Sequence, residues 1–274
     1  MQRTPPKPGS VVMMTANRDS LKEKLKRTCM RKGAVVFGVA SVEDVEALPR
    51  IRMAPAVRSL MGTKLLYTKG PAAAMPDARS VVVFGIPSTD DWCELGVRGE
   101  RGEFQWPGYF PLSWIRRDVA QFLREEGYEA VFPYETSAPN SYKRVLRLAG
   151  IGSFGKNSLI ISPKYGPWLR FGYLLTDAPL EPDEPFEEDL CGDCDLCVEA
   201  CPVDALKPYV VDADRCLVNV HMRPRVPRTM RTALDEYEPQ LTPATHVMCT
   251  RCQIVCPYTS ARRRKNVISR CRKS

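Results

Sequence analysis

The sequence contains no apolar run long enough to cross a lipid bilayer. Its longest apolar stretches, such as 81–86, fall far short of the roughly 20 residues that a membrane-spanning helix needs. Residues 1–17 carry proline and scattered charge, have a short apolar run only at 11–14 and lack adjacent arginines, so they do not resemble an export signal. These absences predict a cytoplasmic protein that has no membrane partner.

Cysteine, by contrast, is abundant. The chain has 11 cysteines among 274 residues, and in a cytoplasmic protein this favours metal ligation or redox chemistry over disulfides. Most of them fall into two groups with short spacers. The first group is Cys191-x2-Cys194-x2-Cys197-x3-Cys201-Pro202, and the second is Cys249-x2-Cys252-x3-Cys256-Pro257, with Cys216 between them.

The first group has the spacing of bacterial ferredoxins that hold two [4Fe–4S] clusters. Its short spacers let one loop supply three thiolates to a cubane, while the fourth cysteine binds the other cluster. This exchange assigns Cys191, Cys194, Cys197 and Cys256 to cluster 1, and Cys201, Cys216, Cys249 and Cys252 to cluster 2. Cys29, Cys93 and Cys271 remain as ordinary thiols. Two zinc sites are the alternative, because Cys-x2-Cys pairs also occur in zinc ribbons, but the longer run followed by proline is more specific to clusters.

The region before these cysteines predicts an α+β domain. Helical patterns cover 20–32, 42–48, 112–126 and 141–148, and strand patterns cover 34–40, 80–86, 129–134, 158–162 and 169–176. The last two strands are predicted to pair as an antiparallel hairpin, and residues 90–109 are predicted to form a long surface loop. Residues 181–190 hold six acids and two prolines, which indicates a linker. We therefore predict an α+β domain over residues 1–180 and a ferredoxin-like double-cluster domain over 181–274.

The C-terminal tail, 261–274, is strongly basic and contains no acid. Such a tail is typical of a solvated surface, and it is equally compatible with contact to RNA, to an acidic protein or to a flavodoxin-like electron donor.

Several motifs before the cysteines carry a resemblance to a known family. They are Thr136-Ser-Ala-Pro139, Leu148-Ala-Gly-Ile-Gly-Ser-Phe-Gly-Lys-Asn157, Tyr165-Gly-Pro-Trp168 and Leu174-Leu-Thr-Asp177, with the double-cluster segment directly after them. In this order they resemble the epoxyqueuosine reductases, which are relatives of the reductive dehalogenases. The resemblance runs over about residues 80–257.

The resemblance implies a cobalamin-dependent reductase whose first domain has a nitroreductase-like fold and holds a corrinoid base-off. A low-potential donor of the ferredoxin or flavodoxin type would feed the clusters, which would reduce the cobalt. The corrinoid would face the turn 150–158 and the loop 164–168, through Gly150, Gly152, Ser153, Gly155, Lys156, Asn157, Ser158, Tyr165 and Gly166. The glycines would allow close backbone approach to a large planar ligand, although the same turn could be a plain helix-to-strand connection. Both histidines, His221 and His246, lie in the cluster segment, which suits base-off binding.

The proton donor departs from the family pattern. Epoxyqueuosine reductases carry an aspartate before Ser-Ala-Pro, whereas this chain has Thr136 there, with Glu135 one residue earlier. On an extended segment that offset would point Glu135 to the opposite face. Glu135, Tyr134 and Tyr142 are therefore the candidate proton donors, and packing in the core is the alternative role of both tyrosines.

Three functions follow from these observations. The first is a corrinoid-dependent reductase that acts on a small molecule or a modified nucleoside, as the glycine-rich and Tyr-Gly-Pro-Trp motifs favour. The second is an electron-transfer or activating protein that reduces a partner, such as a corrinoid protein, without substrate chemistry of its own; the replaced aspartate favours it. The third is a tRNA-directed enzyme, which the basic tail and the family resemblance favour.

Overall fold

The computed structural model describes residues 20–53, 66–88, 94–100, 104–133, 142–223 and 226–259. Their α-helices are α1 (Leu21–Arg31), α2 (Val42–Ala47), α3 (Phe110–Glu125), α4 (Tyr142–Leu148), α5 (Leu196–Glu199), α6 (Leu217–His221), α7 (Arg231–Tyr237) and α8 (Arg251–Ile254). Single 3₁₀ turns occupy Pro71–Ala73, Pro107–Tyr109 and Arg228–Met230. No helix in the described part of the chain is both long and apolar enough to cross a membrane.

The strands are β1 (Val36–Ser41), β2 (Ser80–Pro87), β3 (Leu95–Arg98), β4 (Phe104–Gln105), β5 (Ala130–Val131), β6 (Ser153–Phe154), β7 (Ile160–Ile161), β8 (Leu169–Thr176), β9 (Leu206–Lys207), β10 (Val210–Val211) and β11 (Thr245–Val247). The largest sheet has the order β1-β2-β8-β5, and each neighbouring pair in it is antiparallel.

Helices cover both faces of this sheet. Because side chains alternate along a strand, Val82 and Phe84 of β2 face one core with α1 and α3, while Val81 and Val83 face a second core with α2 and α4. The two buried faces account for the almost continuous apolar pattern of β2 and β8. The predicted α+β fold is thus confirmed.

The helix boundaries follow local capping chemistry. The hydroxyl of Ser20 accepts the Glu23 N–H at 3.2 Å, and that of Ser41 accepts the Asp44 N–H at 3.0 Å, so each serine begins a helix. Gly33 follows α1 with φ +101°, a conformation that favours glycine. The four helices predicted before residue 150 are confirmed to within about two residues.

Two predictions are wrong, one about a hairpin and one about a loop. Strand β7 pairs with β6, at Ser153↔Ile161, whereas β8 pairs with β2 along its full length, so 158–162 and 169–176 do not form a hairpin. The eight residues of β8 instead find eight partners in β2, which buries this apolar strand in the centre of the sheet. The described part of the predicted loop 90–109 also contains strands, because β3 pairs with β4 and with the distant β11.

The acidic stretch 181–190 contains no helix or strand and is hydrogen-bonded to the first region. Asp183 accepts the Val39 N–H at 2.8 Å and the Lys22 ammonium at 2.7 Å, and the Phe186 N–H donates to the Arg147 carbonyl at 2.9 Å. The boundary at residue 180 stays a prediction, and the pairing of β11 with β3 crosses it.

A buried ion pair connects the central sheet to the three-stranded sheet β11-β3-β4, because Glu94 directly precedes β3. The Arg170 guanidinium at the start of β8 contacts the Glu94 carboxylate, and each side chain is only 9% exposed. The Glu94 carbonyl in turn accepts the Met248 N–H at 2.8 Å. Arg170 therefore joins the central strand to the segment that carries the C-terminal cysteines.

Replacing Arg170 with Met should lower the free energy of unfolding by about 3–5 kcal/mol, because Glu94 would keep a buried charge without its partner. Urea unfolding followed by circular dichroism measures this loss. The matched control is Arg117→Met, which breaks an exposed pair with Asp118 and should cost no more than about 1 kcal/mol. Equal losses in the two variants would contradict the importance of the buried pair.

Candidate functional site

The structure brings Cys191, Cys194, Cys197 and Cys256 around one cavity. The other residues that line this cavity are Asn157, Ile161, Leu190, Leu196, Pro257 and Tyr258. The arrangement follows from two short helices that pack against each other, α5 after Cys194 and α8 after Cys249. The distant Cys256 therefore reaches the loop that carries the other three cysteines.

The other four predicted ligands, Cys201, Cys216, Cys249 and Cys252, form a second group, and each of them is partly exposed. Burial raises the pKa of Cys249 to about 12, with further contributions from Glu238 and from the thiols of Cys216 and Cys201. Burial likewise raises the pKa of Cys252, with contributions from Cys249 and Cys216. These thiols thus lie close enough to act on one another. Buried thiolates are unfavourable without a cation, and bound iron would supply the missing positive charge.

No group of three or more His, Cys, Asp or Glu side chains within the described ranges has the geometry of a single-ion site. Cys29 lies on α1, in the core and apart from both cysteine groups, and burial raises its pKa to about 12. The other two spare cysteines, Cys93 and Cys271, lie outside the described residues.

The glycine-rich turn 150–158 contacts both cysteine groups. The Lys156 N–H donates to the Cys191 sulfur at 3.4 Å, and the Asn157 side-chain amide donates to the Cys252 carbonyl at 3.4 Å. The buried Lys143 ammonium donates to the Ser158 carbonyl, and the thiols of Cys216 and Cys252 oppose the lowering of its pKa by burial. Through this turn the first region thus contacts both cysteine groups directly.

The glycines of this site make their close approaches to the chain itself. A Cβ at Gly152 would lie 2.3 Å from the Ile161 carbonyl oxygen, and one at Gly155 would lie 2.6 Å from the Ile161 side chain. Gly150 and Gly166 have φ of +70° and +58°, and a Cβ on either would meet a carbonyl oxygen within 3 Å. Internal packing therefore accounts for these four glycines, and their contact with a planar ligand stays a prediction.

Ser158 differs from its neighbours. It has a left-handed backbone, with φ +59°, and its hydroxyl is buried without a hydrogen-bond partner among the described residues. By contrast, the Ser153 hydroxyl accepts the Leu190 N–H at 3.3 Å, and the Asn157 side-chain oxygen Oδ1 accepts the Leu159 N–H at 3.0 Å. Tyr165 is half-buried, with the Lys164 ammonium 5.3 Å from its ring centre. An orphaned hydroxyl on a strained backbone is what a ligand contact would explain.

The candidate proton donors cannot be placed in the same way. Tyr134 and Glu135 lie outside the described residues, as does Thr136. Tyr142 is the first residue of α4, and its side chain is not described either. Their role remains a prediction from the resemblance.

Sequence reasoning missed a buried carboxylate beside Cys249 of the second cysteine group. Glu238 accepts the Cys249 N–H at 2.9 Å with one oxygen, and its other oxygen lies 2.6 Å from His221 Nδ1. The His221 ring packs edge-on against His246, with 4.2 Å between the ring centres. Nothing in the spacing of Glu238 distinguishes it from surface acids, because its partners are remote in sequence.

The loop 164–168 is tied to the last cysteine segment by a buried tryptophan. Trp168 Nε1 donates to the Thr259 hydroxyl at 2.9 Å, and that hydroxyl donates to the Gln253 carbonyl at 2.6 Å. The Trp168 ring packs on Ile254 of α8. The Tyr-Gly-Pro-Trp motif therefore also has a structural role.

Comparison with known proteins agrees with this arrangement. The family model of a 4Fe-4S double cluster binding domain matches residues 190–259, which favours clusters over zinc. A curated epoxyqueuosine reductase from a Synechococcus strain is 40% identical over 262 residues, covering 91% of this chain and 78% of the relative. Another curated epoxyqueuosine reductase matches over only 45% of this chain and 39% of its own length.

Solved structures show the same fold. An epoxyqueuosine reductase crystallised with an epoxyqueuosine-modified tRNA-Tyr stem loop has a TM-score of 0.65 at 23% identity, covering 88% of this chain and 66% of that one. A reductive dehalogenase whose structure suggests a mechanism for B12-dependent dehalogenation has a TM-score of 0.55 at 16% identity, covering 89% of this chain and 33% of that one.

Replacing Thr259 with Val should lower the free energy of unfolding by about 1–3 kcal/mol, because the buried Trp168 N–H would lose its acceptor. Thr259→Ser keeps the hydroxyl and should remain near the wild type. Urea unfolding monitored by tryptophan fluorescence compares the two. A valine variant as stable as the serine variant would refute the proposed tether.

Proposed function

The chain belongs to the epoxyqueuosine reductase family, and from this premise we propose that it is a cobalamin-dependent reductase in which two [4Fe–4S] clusters feed electrons to a corrinoid. One observation carries the proposal. The glycine-rich turn, which the resemblance assigns to the corrinoid, hydrogen-bonds to Cys191 and to Cys252, one from each cysteine group. The buried hydroxyl of Ser158 in this turn has no hydrogen-bond partner among the described residues, which favours a bound ligand over a pure electron carrier.

We assign Cys191, Cys194, Cys197 and Cys256 to cluster 1, and Cys201, Cys216, Cys249 and Cys252 to cluster 2. The cavity that the first four share supports the first set, and the mutual effect of the buried thiols on their pKa values supports the second. Electrons from a ferredoxin- or flavodoxin-type donor would enter at one cluster, cross to the other and leave toward the turn.

The turn fits a corrinoid through Ser158, whose unpartnered hydroxyl could bond to a ligand amide. Ser153, Lys156, Asn157 and Tyr165 complete the proposed contact surface, while the glycines Gly150, Gly152, Gly155 and Gly166 shape it. The Lys143 ammonium holds the Ser158 carbonyl and so fixes the backbone from which the hydroxyl projects. When bound, the corrinoid would supply a low-potential cobalt centre that reduces the substrate.

A modified nucleoside carried by tRNA is the substrate class that the relatives favour, and a cytoplasmic location fits it. The proton for the reduction would come from Glu135, Tyr134 or Tyr142. Thr136 stands where the family has its aspartate, and this is the observation that favours the second candidate, an electron-transfer or activating protein that reduces a partner.

Anaerobic titration of the cluster-loaded protein with cobalamin tests the proposal. We expect tight binding and a base-off absorption spectrum. Ser158→Ala should weaken binding by about 2- to 12-fold, the effect of one lost hydrogen bond, whereas Ser113→Ala on the exposed face of α3 should not. If the protein retains its clusters and binds no cobalamin, the electron-transfer candidate replaces the enzyme.

The cluster assignment predicts how much iron each variant retains. The wild type should carry about eight irons per chain, and Cys256→Ser should retain about four, because only cluster 1 loses a ligand. The control Cys29→Ser removes a buried thiol that is not a ligand and should keep the full complement. Iron and acid-labile sulfide assays measure both, and loss of iron from the Cys29 variant would disprove the assignment.

A further inference from the structure

A closed series of contacts surrounds the first cluster cysteine. The Lys156 N–H donates to the Cys191 sulfur at 3.4 Å, and the Lys156 carbonyl accepts the Tyr209 N–H at 3.1 Å. The Tyr209 hydroxyl donates to Asp189 at 2.8 Å, and Asp189 accepts the Cys191 N–H at 2.9 Å. We call these four residues the Cys191 ring. It joins the glycine-rich turn to the cysteine segment and to the β9–β10 hairpin.

Lys156 also places a buried positive charge beside this ring. The residue is 8% exposed, and its ammonium lies 3.0 Å from a carboxylate oxygen of Asp195. In the sequence, Asp195 stands between Cys194 and Cys197, which are both assigned to cluster 1. An apolar side chain could fill the same space, so packing alone does not account for a lysine here.

The charge and the amide act on the cluster in the same direction. Adding an electron makes a cluster more negative, and a nearby cation or an N–H donor to a ligating sulfur favours that state and raises the reduction potential. The Asp195 carboxylate opposes the effect. Because Lys156 is part of the turn, its position depends on the conformation of the turn.

We propose that Lys156 is a positioning residue that raises the reduction potential of the cluster held by Cys191, and that Asp195 acts on the same cluster with the opposite sign. The inference rests on the proposed function, because it requires that Cys191 bind a cluster. It adds to that function an effect of the glycine-rich turn, which positions Lys156, on the reduction potential of this cluster.

Potentiometric titration of the anaerobic, cluster-loaded full chain, followed by EPR without added cobalamin, tests this. Lys156→Met should shift one of the two cluster midpoints to more negative potential, and Asp195→Asn should shift the same midpoint to more positive potential. Lys156→Arg keeps the charge and should stay near the wild type. Lys207→Met, which removes an exposed lysine from β9, is the matched control and should move neither midpoint.

The opposite signs separate tuning from structural damage. A purely structural tie between the turn and the cysteines would make Lys156→Met and Asp195→Asn shift the midpoint in the same direction, and either that result or unmoved midpoints would overturn the inference. If Lys156→Met fails to assemble clusters, the Asp195→Asn shift decides, with a positive shift in support and any other result against. Iron analysis of the wild type distinguishes failure of this inference from failure of the proposed function, since a wild type without clusters refutes the proposed function instead.

Discussion

The structure depends on the packing of the glycine-rich turn against the cysteine-bearing segment. On one side the turn continues from α4, which packs on the central sheet, and on the other it bonds directly to Cys191 and to the Cys252 carbonyl. Because Gly152 has no side chain, the Ile161 backbone can contact the turn; a Cβ on residue 152 would lie 2.3 Å from the Ile161 carbonyl oxygen. The two cysteine groups and the glycine-rich turn are therefore packed directly against each other.

Burial gives the cysteine groups their chemical character. Burial raises the pKa of the Cys249 and Cys252 thiols, so their ionised forms are unfavourable in the protein alone. Iron reverses that preference, so binding of the clusters and folding of the surrounding segment are coupled. Glu238, which accepts the Cys249 N–H, adds a negative charge that makes this dependence on a cationic partner stronger.

The sequence predicted the parts of the fold that are encoded locally. Serine caps at Ser20 and Ser41 and the spacing of the cysteines act within a few residues, so the helices and the grouping of the first three cysteines could be predicted from the sequence. The pairing of β3 with β11 could not, because the two strands are about 150 residues apart and each is too short to carry a pattern. Glu238 was missed for the same reason, since its role depends on His221 and Cys249, which only the fold brings to it.

The glycines show why a motif alone does not establish a cofactor site. Gly150, Gly152, Gly155 and Gly166 are each explained by the close approach of this chain's own atoms, so a protein that had lost the corrinoid would still need them to hold its clusters. Ser158 carries different information, because its buried hydroxyl has no hydrogen-bond partner among the described residues and its backbone is left-handed, a combination that costs stability. A chain that only transferred electrons would gain by replacing this serine with glycine, which adopts that backbone freely and has no hydroxyl to satisfy. The serine at this position is therefore a stronger argument for a bound ligand than the glycine pattern that surrounds it.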